Sequence, residues 1–298
     1  MIARLITKLF PRKTSNHVPR LVMTLLVRNE EDILSHVLEY HRALGIDHFI
    51  VTDNLSEDKT PAILENYRQK GWLTVIQEDN DDYDQQAWVT RMARLAATPK
   101  VGADWILHCD ADEFWTPIQG SLKEYFARLP SATNIVIASR HDFVPICEQV
   151  GLWYEKMVYR KLVSLNPRGM PLPPKVAHRP HPNVQISQGN HDVKGFETPV
   201  SETIGIEILH FPVRNLQQIE NKIIKGGAAY KRNTVQPKSV AIGWRKLYDK
   251  LQQEGSLQSH FDEISFQPKE VANALERGDL IEDWRIADFF KSNHIIRD

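Results

Sequence analysis

Trp105-Ile106-Leu107-His108-Cys109-Asp110-Ala111-Asp112-Glu113-Phe114-Trp115 begins as an apolar run and leads into three carboxylates within four residues. An apolar run of this length that stops abruptly at charged residues predicts a central strand buried on both faces. The acids then lie at the carboxyl end of that strand, which is where open α/β sheets bind their ligands. The segment therefore predicts the centre of the fold and the position of a functional site.

Asp110 and Asp112 are one residue apart, so their side chains point the same way on an extended chain. Two carboxylates in this arrangement are able to converge on one cation. Carboxylate oxygens suit Mg²⁺ or Mn²⁺, and Mg²⁺ commonly shares its ligand shell with substrate phosphates. We therefore expect Mn²⁺ or Mg²⁺ as a cofactor, with solvated acids at a strand end as the alternative.

The chain before this segment alternates between strands and helices. Strands are predicted at residues 21–27, 47–52 and 72–77, and helices at residues 31–44 and 60–70 and around Trp88, Met92 and Leu95. This alternation implies right-handed crossovers and a mostly parallel sheet flanked by helices. The predicted fold class is therefore α/β and Rossmann-like.

Polar clusters follow three of the predicted strands. They are Arg28-Asn29-Glu30, Asp53-Asn54 and Asp110-Ala111-Asp112. Because the carboxyl ends of parallel strands meet at one edge of the sheet, these clusters are expected to lie side by side. A random scatter of solvated charges would not favour strand ends alone, so this placement carries the functional prediction.

The second half of the chain gives weaker signals. The pattern predicts a helix at residues 121–129, a strand at 134–140, a proline-rich loop or lid at 167–182, a strand at 204–209, and helices near 216–230, 240–253 and 268–277. The predicted organisation is a basic leader over residues 1–18, a catalytic domain over 19–215 and a helical C-terminal extension over 216–298.

The leader combines an apolar helical face with basic residues, as Ile2, Leu5, Arg4 and Lys8 illustrate. Such a segment is able to act as a short interfacial anchor on anionic lipid, and the alternative is a disordered basic leader. It is too short for a secretory signal, and no apolar run is long enough to span a membrane. We expect a cytoplasmic protein, with peripheral contact at the inner face of the cell membrane as a further option.

Composition excludes several classes of protein. The 298 residues carry a formal net charge of −1, which provides no basic field for binding nucleic acid. The two cysteines, Cys109 and Cys147, do not form a CxxC pair, which argues against a zinc finger or a disulfide scaffold. The glycine-rich motifs of dinucleotide-binding proteins and P-loop proteins are also absent.

Three segments of the sequence resemble the successive motifs of family-2-like glycosyltransferases with the GT-A fold. They are Leu26-Val27-Arg28-Asn29-Glu30, the run from Val51 to Thr60, and His108-Cys109-Asp110-Ala111-Asp112-Glu113-Phe114. The similarity is greatest to the bacterial subgroup that carries R-N-E after the first strand and D-x-D-E-F later. It covers about residues 20–215.

The resemblance implies a nucleotide-sugar donor, most commonly a UDP-sugar, and it assigns residues to that donor. Those that would bind the nucleotide are Arg28, Glu30, Asp53, Asn54, Gln86, Arg91 and Asp110. Those that would hold the metal are Asp110, Asp112, His191 and His210. For each histidine, the alternative is a structural residue that is hydrogen-bonded within the fold.

Family-2 enzymes mostly invert the configuration at the sugar, which implies a general base that deprotonates the acceptor hydroxyl. The chain lacks a clear E-D-D motif for that base. Asp192, beside His191 in a loop that contains glycine, is the first candidate, with Asp142 and Glu197 as alternatives. Each of the three is also compatible with an ordinary surface carboxylate.

Basic residues on the later helices are candidates for contact with a charged acceptor or with the leaving diphosphate, and solvated surface charge is the alternative. They are Lys222, Lys225, Lys231 and Arg232.

The predicted function is that of a metal-dependent glycosyltransferase. It would move a sugar to a hydroxyl of a glycan or lipid-linked acceptor, in surface polysaccharide or glycan synthesis. One alternative is a phosphohydrolase that uses the aspartate pair, although Glu113-Phe114 does not match the Thr or Val that follows the pair in such enzymes. A second alternative is a non-catalytic nucleotide-binding scaffold.

Overall fold

A computed structural model describes residues 17–81, 84–147, 151–166, 169–232 and 241–293. The predicted basic leader lies outside these ranges except for His17 and Val18. Within the described ranges, no helix combines the length and the apolar content that crossing a bilayer requires.

The elements alternate along the first half of the chain, as the sequence predicts. The strands are β1 (Leu21–Val27), β2 (His48–Asp53), β3 (Leu73–Gln77), β4 (Trp105–Asp110), β5 (Glu113–Pro117), β6 (Ile135–Asp142), β7 (Tyr159–Lys161), β8 (Lys175–His178), β9 (Gln185–Ile186), β10 (Val193–Lys194), β11 (Ser201–Glu202), β12 (Ile206–His210) and β13 (Leu280–Glu282). The helices are α1 (Leu34–Ala43), α2 (Thr60–Gln69), α3 (Gln85–Ala96), α4 (Leu122–Arg128), α5 (Trp153–Lys156), α6 (Leu216–Lys222), α7 (Ala228–Arg232), α8 (Ile242–Glu254), α9 (Gln258–Ile264), α10 (Pro268–Glu276) and α11 (Arg285–Asn293). A π-helical turn (Ile223–Gly227) joins α6 to α7.

The central sheet has the strand order β3-β2-β1-β4-β8-β6-β12-β5, with β11 beside β6. The first four strands in this order are parallel to one another, β8 is antiparallel to β4 and β6, and β6 and β12 are parallel. The carboxyl ends of β1, β2 and β4 therefore meet at one edge. This arrangement confirms the predicted α/β fold, with a mostly parallel sheet flanked by helices.

Strand β1 shows why the sheet is central. Met23 and Leu25 pack into a core on one face of the sheet, together with Leu34 of α1. Val22 packs into a second core on the opposite face, together with Met92 of α3. Successive side chains of a strand point to opposite faces, so a continuous apolar run is what burial on both sides requires.

Strand β8 corrects the prediction of a loop or lid over residues 167–182. Lys175–His178 pairs with β4 on one side and with β6 on the other, in the middle of the sheet. Val176 and Ala177 are buried in the two cores. The prolines Pro174 and Pro180 flank the strand rather than interrupt it, so none of them removes a ladder hydrogen bond.

The described residues after 215 are mostly helical, and they are also tied to the rest of the fold. Strand β13 pairs with β7, and Phe290 of α11 packs against the His36 ring with a centroid distance of 4.9 Å. Phe290 belongs to the same core as Met23. The division of the chain at residue 215 stays a prediction.

A chain of buried hydrogen bonds crosses β1, β4 and β8. His178 Nδ1 lies 2.7 Å from the Arg179 carbonyl oxygen and therefore carries the proton, so His178 Nε2 accepts from His108 Nε2 at 3.0 Å. His108 Nδ1 must then accept the hydroxyl hydrogen of Thr24, at 2.7 Å. Burial lowers the pKa of His178 to about 4 and the pKa of His108 well below its usual range, so both rings are neutral.

His41 is held in a similar way beneath β5. Its Nδ1 donates to the Val37 carbonyl oxygen at 2.8 Å, and its Nε2 accepts from the backbone N–H of Trp115 at 2.9 Å. The ring is fully buried, and burial lowers the pKa of His41 to about 3. His41 is therefore a neutral imidazole in the folded protein.

Lowering the pH from 7 to 5 is expected to reduce the free energy of unfolding by about 2 kcal/mol for each of His41 and His178. Their folded-state pKa values lie below the unfolded value, so the unfolded chain takes up protons first as the pH falls. Urea unfolding at the two pH values measures the change, and His41→Gln should reduce the pH dependence by one histidine's share. Equal pH dependence in the variant and the wild type would contradict this assignment.

Candidate functional site

A cleft of about 640 Å³ lies at the carboxyl ends of the parallel strands. The π-helical turn and α8 close its opposite side, through Ile223 and Trp244. Its polar lining includes Arg28, Glu30, Asn54, Gln85, Asp110, Asp112, Arg140, Gln188, His191, His210, Lys222 and Lys225. All three polar clusters that the sequence places at strand ends contribute to this wall.

The loops after β1 and β2 are held in left-handed backbone conformations. Asn29 has φ of 55° and Leu55 has φ of 58°. The Asn29 side chain accepts from the backbone N–H of Glu57 at 2.7 Å, while its own N–H donates to Ser56 Oγ at 3.0 Å. A positive φ is costly for leucine, and such strain is typical of functional sites because the surrounding structure must enforce it.

Arg28 and Asn54 form one end of the cleft. Arg28 Nη1 donates to Asp81 at 2.7 Å and lies 3.3 Å from Asn54 Oδ1. The Asn54 amide donates to the backbone carbonyl oxygens of Glu78 and Asn80, at 3.0 and 2.8 Å. The Arg28 guanidinium is thereby fixed in place at the ends of β1 and β2.

Glu30 and Asp110 line the cleft, whereas three of the predicted nucleotide contacts lie behind or outside its wall. Asp53 is almost fully buried and accepts from the Ser56 N–H at 3.2 Å. Gln86 is exposed, and Arg91 pairs with Glu78 at 2.9 Å with about half of its side chain exposed, and neither lines the cleft. Gln85 does line it, because it faces inward from the first turn of α3.

Asp110 is surrounded by donors from three parts of the chain. Its Oδ2 accepts a hydrogen bond from the Lys175 ammonium, and its Oδ1 accepts hydrogen bonds from Asn190 at 3.0 Å and from Gln85 at 3.3 Å. Lys175 is fully buried and also contacts Glu113 at 3.1 Å. Burial acts against the charge on Lys175, but the two carboxylates outweigh it and raise the pKa of this lysine.

Asp112 lies deeper, between two cationic groups. Lys222 Nζ is 2.6 Å from its Oδ2, and His210 Nε2 is 3.5 Å from its Oδ1. The other ring nitrogen of His210 is 2.6 Å from Asp142. Burial opposes the charge on His210, but Asp112 and Asp142 raise the pKa of the ring to about 9, so it is an imidazolium at neutral pH. Lys222 and His210 hold the pKa of Asp112 well below its usual range against the effect of burial.

The donor set around Asp112 fits a divalent cation that shares its shell with a substrate. No group of three or more His, Cys, Asp and Glu side chains suited to a metal occurs within the described ranges. Mg²⁺ commonly needs only one or two protein ligands when phosphates supply the rest. Asp112 and a neutral His210 provide two, and Asp142 on the second ring nitrogen is the usual orienting partner of a metal-bound histidine. Lys222 now neutralises the same carboxylate that a cation would bind.

His191 lines the cleft on the side of Lys175. Its Nδ1 is 2.8 Å from the Pro174 carbonyl oxygen. Burial, followed by the positive charge of Lys175, lowers the pKa of His191 to about 4. The ring is therefore neutral at physiological pH, which is the form that binds a metal.

Glu30 connects the first motif to the second half of the chain. It lies 3.2 Å from Arg214 Nη2 and 3.9 Å from Lys222 Nζ. Burial raises the pKa of Glu30 to about 7, while the charges of Lys222 and Arg214 oppose the shift. Lys222 thus stands between the carboxylates of Glu30 and Asp112.

The three candidates for the general base lie apart from one another. Asp192 is exposed, accepts from the N–H of Val193 at 2.8 Å and does not line the cleft. Glu197 is also exposed outside the cleft. Asp142 is engaged by His210, behind Asp112.

Sequence reasoning missed Lys175 and Arg140, which lie in a predicted loop and a predicted strand without a motif. Of the basic candidates on the later helices, Lys222 and Lys225 line the cleft. Lys231 instead pairs with Asp249, away from it. The Arg232 side chain falls outside what the structure describes.

Known structures share partial similarity with the chain. S. aureus TarS, solved in complex with UDP, is 11% identical, with 78% of this chain and 70% of that chain covered and a TM-score of 0.41. Glucosyl-3-phosphoglycerate synthase from Mycobacterium tuberculosis, solved with Mn²⁺ and UDP-glucose, is 18% identical, with 41% and 44% covered and a TM-score of 0.28. These similarities are too low to establish a property of this chain. No curated protein matches the sequence significantly.

The sequence model of one family does match, and it extends from β1 to the end of α8. It is described as glycosyltransferase family 92 and covers residues 23–254, which is most of the chain. This match includes every cleft residue named above, and it confirms the expected relation to glycosyltransferases. The chain belongs to glycosyltransferase family 92.

Proposed function

We propose that this glycosyltransferase binds a nucleoside diphosphate sugar in the cleft and transfers the sugar to an acceptor hydroxyl. The observation that carries the proposal is the position of Asp112, buried at the end of β4 between the cationic groups of Lys222 and His210. Arg28 and Lys225 line the same cleft. A diphosphate needs such a set of cations, and carboxylates among them suit a bridging metal.

The order of the strands suggests how the donor lies. From β2 to β6 the sheet runs in the order β2-β1-β4-β8-β6. This is four strand spacings, about 19 Å at the usual distance between neighbouring strands. We place the nucleoside at Asn54 and Arg28, the diphosphate at Asp110 and Asp112, and the sugar and acceptor towards Arg140. The cleft volume of about 640 Å³ is within the range of small-molecule sites.

In the proposed reaction the acceptor oxygen forms a bond to the anomeric carbon, and the bond from that carbon to the diphosphate oxygen breaks. Negative charge then develops on the departing diphosphate, where Lys222 and Lys225 stabilise it. Mn²⁺ or Mg²⁺ would be held by Asp112 and by His210 after the loss of its Nε2 proton, and it would supply Lewis-acid stabilisation of the same group. The hydroxyl proton passes to a general base.

Asp192 remains the proposed base of an inverting transfer, with Asp142 and Glu197 as the alternatives. A true base is identified by a variant that loses transfer but keeps nucleotide affinity. Asp192→Asn, Asp142→Asn and Glu197→Gln separate the three. Unchanged transfer by Asp192→Asn would remove Asp192 from this role.

We further propose a glycan or lipid-linked acceptor in surface polysaccharide synthesis, and a cytoplasmic enzyme that contacts the inner face of the membrane. The basic, amphipathic sequence of residues 1–16 is the reason for the membrane contact. Deletion of residues 1–16 should release the protein from vesicles that contain anionic lipid. Equal binding by the shortened protein would contradict the proposed contact.

The proposed donor class is tested by thermal unfolding with UDP, GDP, CDP and ADP, each with and without Mn²⁺. A ligand at a hundred times its dissociation constant stabilises the folded state by about 2.7 kcal/mol. One diphosphate should raise the midpoint in the presence of Mn²⁺, and Asp112→Asn should abolish the shift. Asp262→Asn, which changes an exposed aspartate on α9, is the matched control. The absence of any shift would overturn the proposal.

Lys222→Gln is expected to weaken diphosphate binding by about 10- to 100-fold, because a hydrogen bond to a charged group contributes about 1.5–3 kcal/mol. Calorimetric titration with UDP and Mn²⁺ measures the loss. Lys250→Gln, on α8 with its ammonium 4.0 Å from Glu254, is the control and should bind as the wild type does. Unchanged affinity in Lys222→Gln would place the diphosphate elsewhere.

A further inference from the structure

Arg140 is a partly buried arginine at the end of the cleft opposite Arg28. It extends from β6, lines the cleft and has 13% of its side chain exposed. Its Nη1 is 3.5 Å from Glu113 Oε1, and its buried Nε has no hydrogen-bond partner among the described residues. A guanidinium offers five N–H donors, and buried donors without acceptors are costly.

Glu113 does not satisfy this guanidinium, because it is shared with a closer cation. Lys175 Nζ lies 3.1 Å from Glu113 Oε1, the oxygen that Arg140 contacts, and it also pairs with Asp110. The Arg140 contact at 3.5 Å is at the limit of a hydrogen bond. Arg140 is therefore able to donate hydrogen bonds to a ligand without breaking a strong ion pair.

The groups around Arg140 favour an anion over a neutral ligand. Lys175 Nζ lies against the carboxylates of both Asp110 and Glu113. Lys222 Nζ is 2.6 Å from Asp112, and His210 lies between Asp112 and Asp142 at 3.5 and 2.6 Å. The carboxylates of this region thus have cationic partners of their own.

Given the proposed donor orientation, the part of the substrate that reaches β6 lies beyond the diphosphate. We propose that Arg140 binds a carboxylate or phosphate group of the acceptor, so that the enzyme glycosylates an anionic acceptor. This inference rests on the proposed function. The planar guanidinium is suited to either anion, since both accept two parallel N–H bonds from it.

Binding of inorganic phosphate to the protein saturated with UDP and Mn²⁺ tests the site without knowledge of the acceptor. UDP occupies the diphosphate position, so phosphate should raise the unfolding midpoint further in the wild type and not in Arg140→Gln. Arg140→Lys keeps the charge without the planar fork and should show a smaller shift. Arg68→Gln, an exposed arginine on α2, is the matched control. Equal phosphate shifts in the wild type and Arg140→Gln, or none in either, would overturn the proposal.

Matched acceptors give the second test, with UDP-glucose and UDP-N-acetylglucosamine as donors. Methyl galactoside is compared with its galacturonate counterpart, and glucose with glucose 6-phosphate. The anionic member of a pair should have kcat/KM at least tenfold higher in the wild type, and Arg140→Gln should abolish that preference. The pair that shows the preference distinguishes a carboxylate from a phosphate. Equal use of neutral and anionic acceptors by the wild type would contradict the inference.

Two further outcomes separate this inference from its alternatives. Preferential hydrolysis of UDP-glucuronate over UDP-glucose would place the anion on the donor sugar and overturn the assignment to the acceptor. A loss of UDP affinity in Arg140→Gln would assign the arginine to the diphosphate instead. If no nucleoside diphosphate stabilises the wild type, the proposed function itself fails, whereas UDP binding with indifferent acceptors refutes the role of Arg140 alone.

Discussion

Asp112→Asn is expected to lower kcat/KM for sugar transfer at least 100-fold. The carboxylate lies beside Lys222 and His210 and is the best-placed group to hold a cation at the leaving diphosphate. Loss of one group that stabilises transition-state charge typically costs 10²–10³ in rate, or about 3–4 kcal/mol. An asparagine keeps the shape of the side chain and removes the negative charge. Release of UDP from UDP-sugar donors, followed over a range of Mn²⁺ concentrations, measures the effect.

The fold is expected to survive this change, because Lys222 is one quarter exposed and also lies 3.9 Å from Glu30. Circular dichroism and the unfolding midpoint check this expectation, and Asp262→Asn provides the same chemical change on the surface. A variant with wild-type turnover would show that Asp112 is not part of the reaction. If Asp112→Asn is inactive and unfolded, Asp112→Glu is tested in its place, because it keeps the negative charge and shifts its position.

Lys175→Met is expected to lower the free energy of unfolding by about 3–5 kcal/mol. The lysine is fully buried, and its ammonium is the shared partner of Asp110 and Glu113. Its removal leaves Glu113 in the protein interior with the longer ion-pair contact to Arg140 and a hydrogen bond from the Asp110 N–H at 3.2 Å. Methionine has a similar length and packs well in irregular spaces, so the loss reports mainly the missing charge. Urea unfolding at pH 7 measures it.

A second substitution distinguishes charge from packing. Lys175→Met combined with Glu113→Gln removes both members of the pair, and it should recover part of the lost stability because no carboxylate is then left uncompensated at that position. Lys123→Met changes a partly exposed lysine that pairs with Asp47 and should cost much less. Additive losses in the double variant would show that Lys175 acts through packing alone.

The first half of the fold could be predicted from sequence because local signals agree with the tertiary structure there. The apolar run before Asp110 forms β4, and the Thr60-Pro61 pair begins α2. The polar residues after β1 and β2 reach the same cleft as Asp112, as the parallel arrangement requires. These signals depend on neighbours in sequence, which is why reading the chain in order recovers them.

The remainder depends on contacts between distant residues. β8 is a strand because β4 and β6 provide a place for it, and nothing in Lys175–His178 alone distinguishes it from a loop. The choice between Gln85 and Gln86 depends on the rotation of α3 by one residue. Whether Asp192 faces the cleft is decided by a loop that is held to distant residues, through Gly189 to Gln85 and Asn190 to Asp110.

The placement of the site's counter-charges has a consequence for synthesis of the chain. Asp110 meets Lys175 65 residues later, Asp112 meets Lys222 110 residues later, and Glu30 meets Arg214 184 residues later. A nascent chain that ends before these basic residues therefore presents a row of uncompensated acids beside an unfilled gap between β4 and β6. Because domains fold as units and long-range pairing is slow, the emerging N-terminal half is the stage most exposed to misfolding and most dependent on protection at the ribosome.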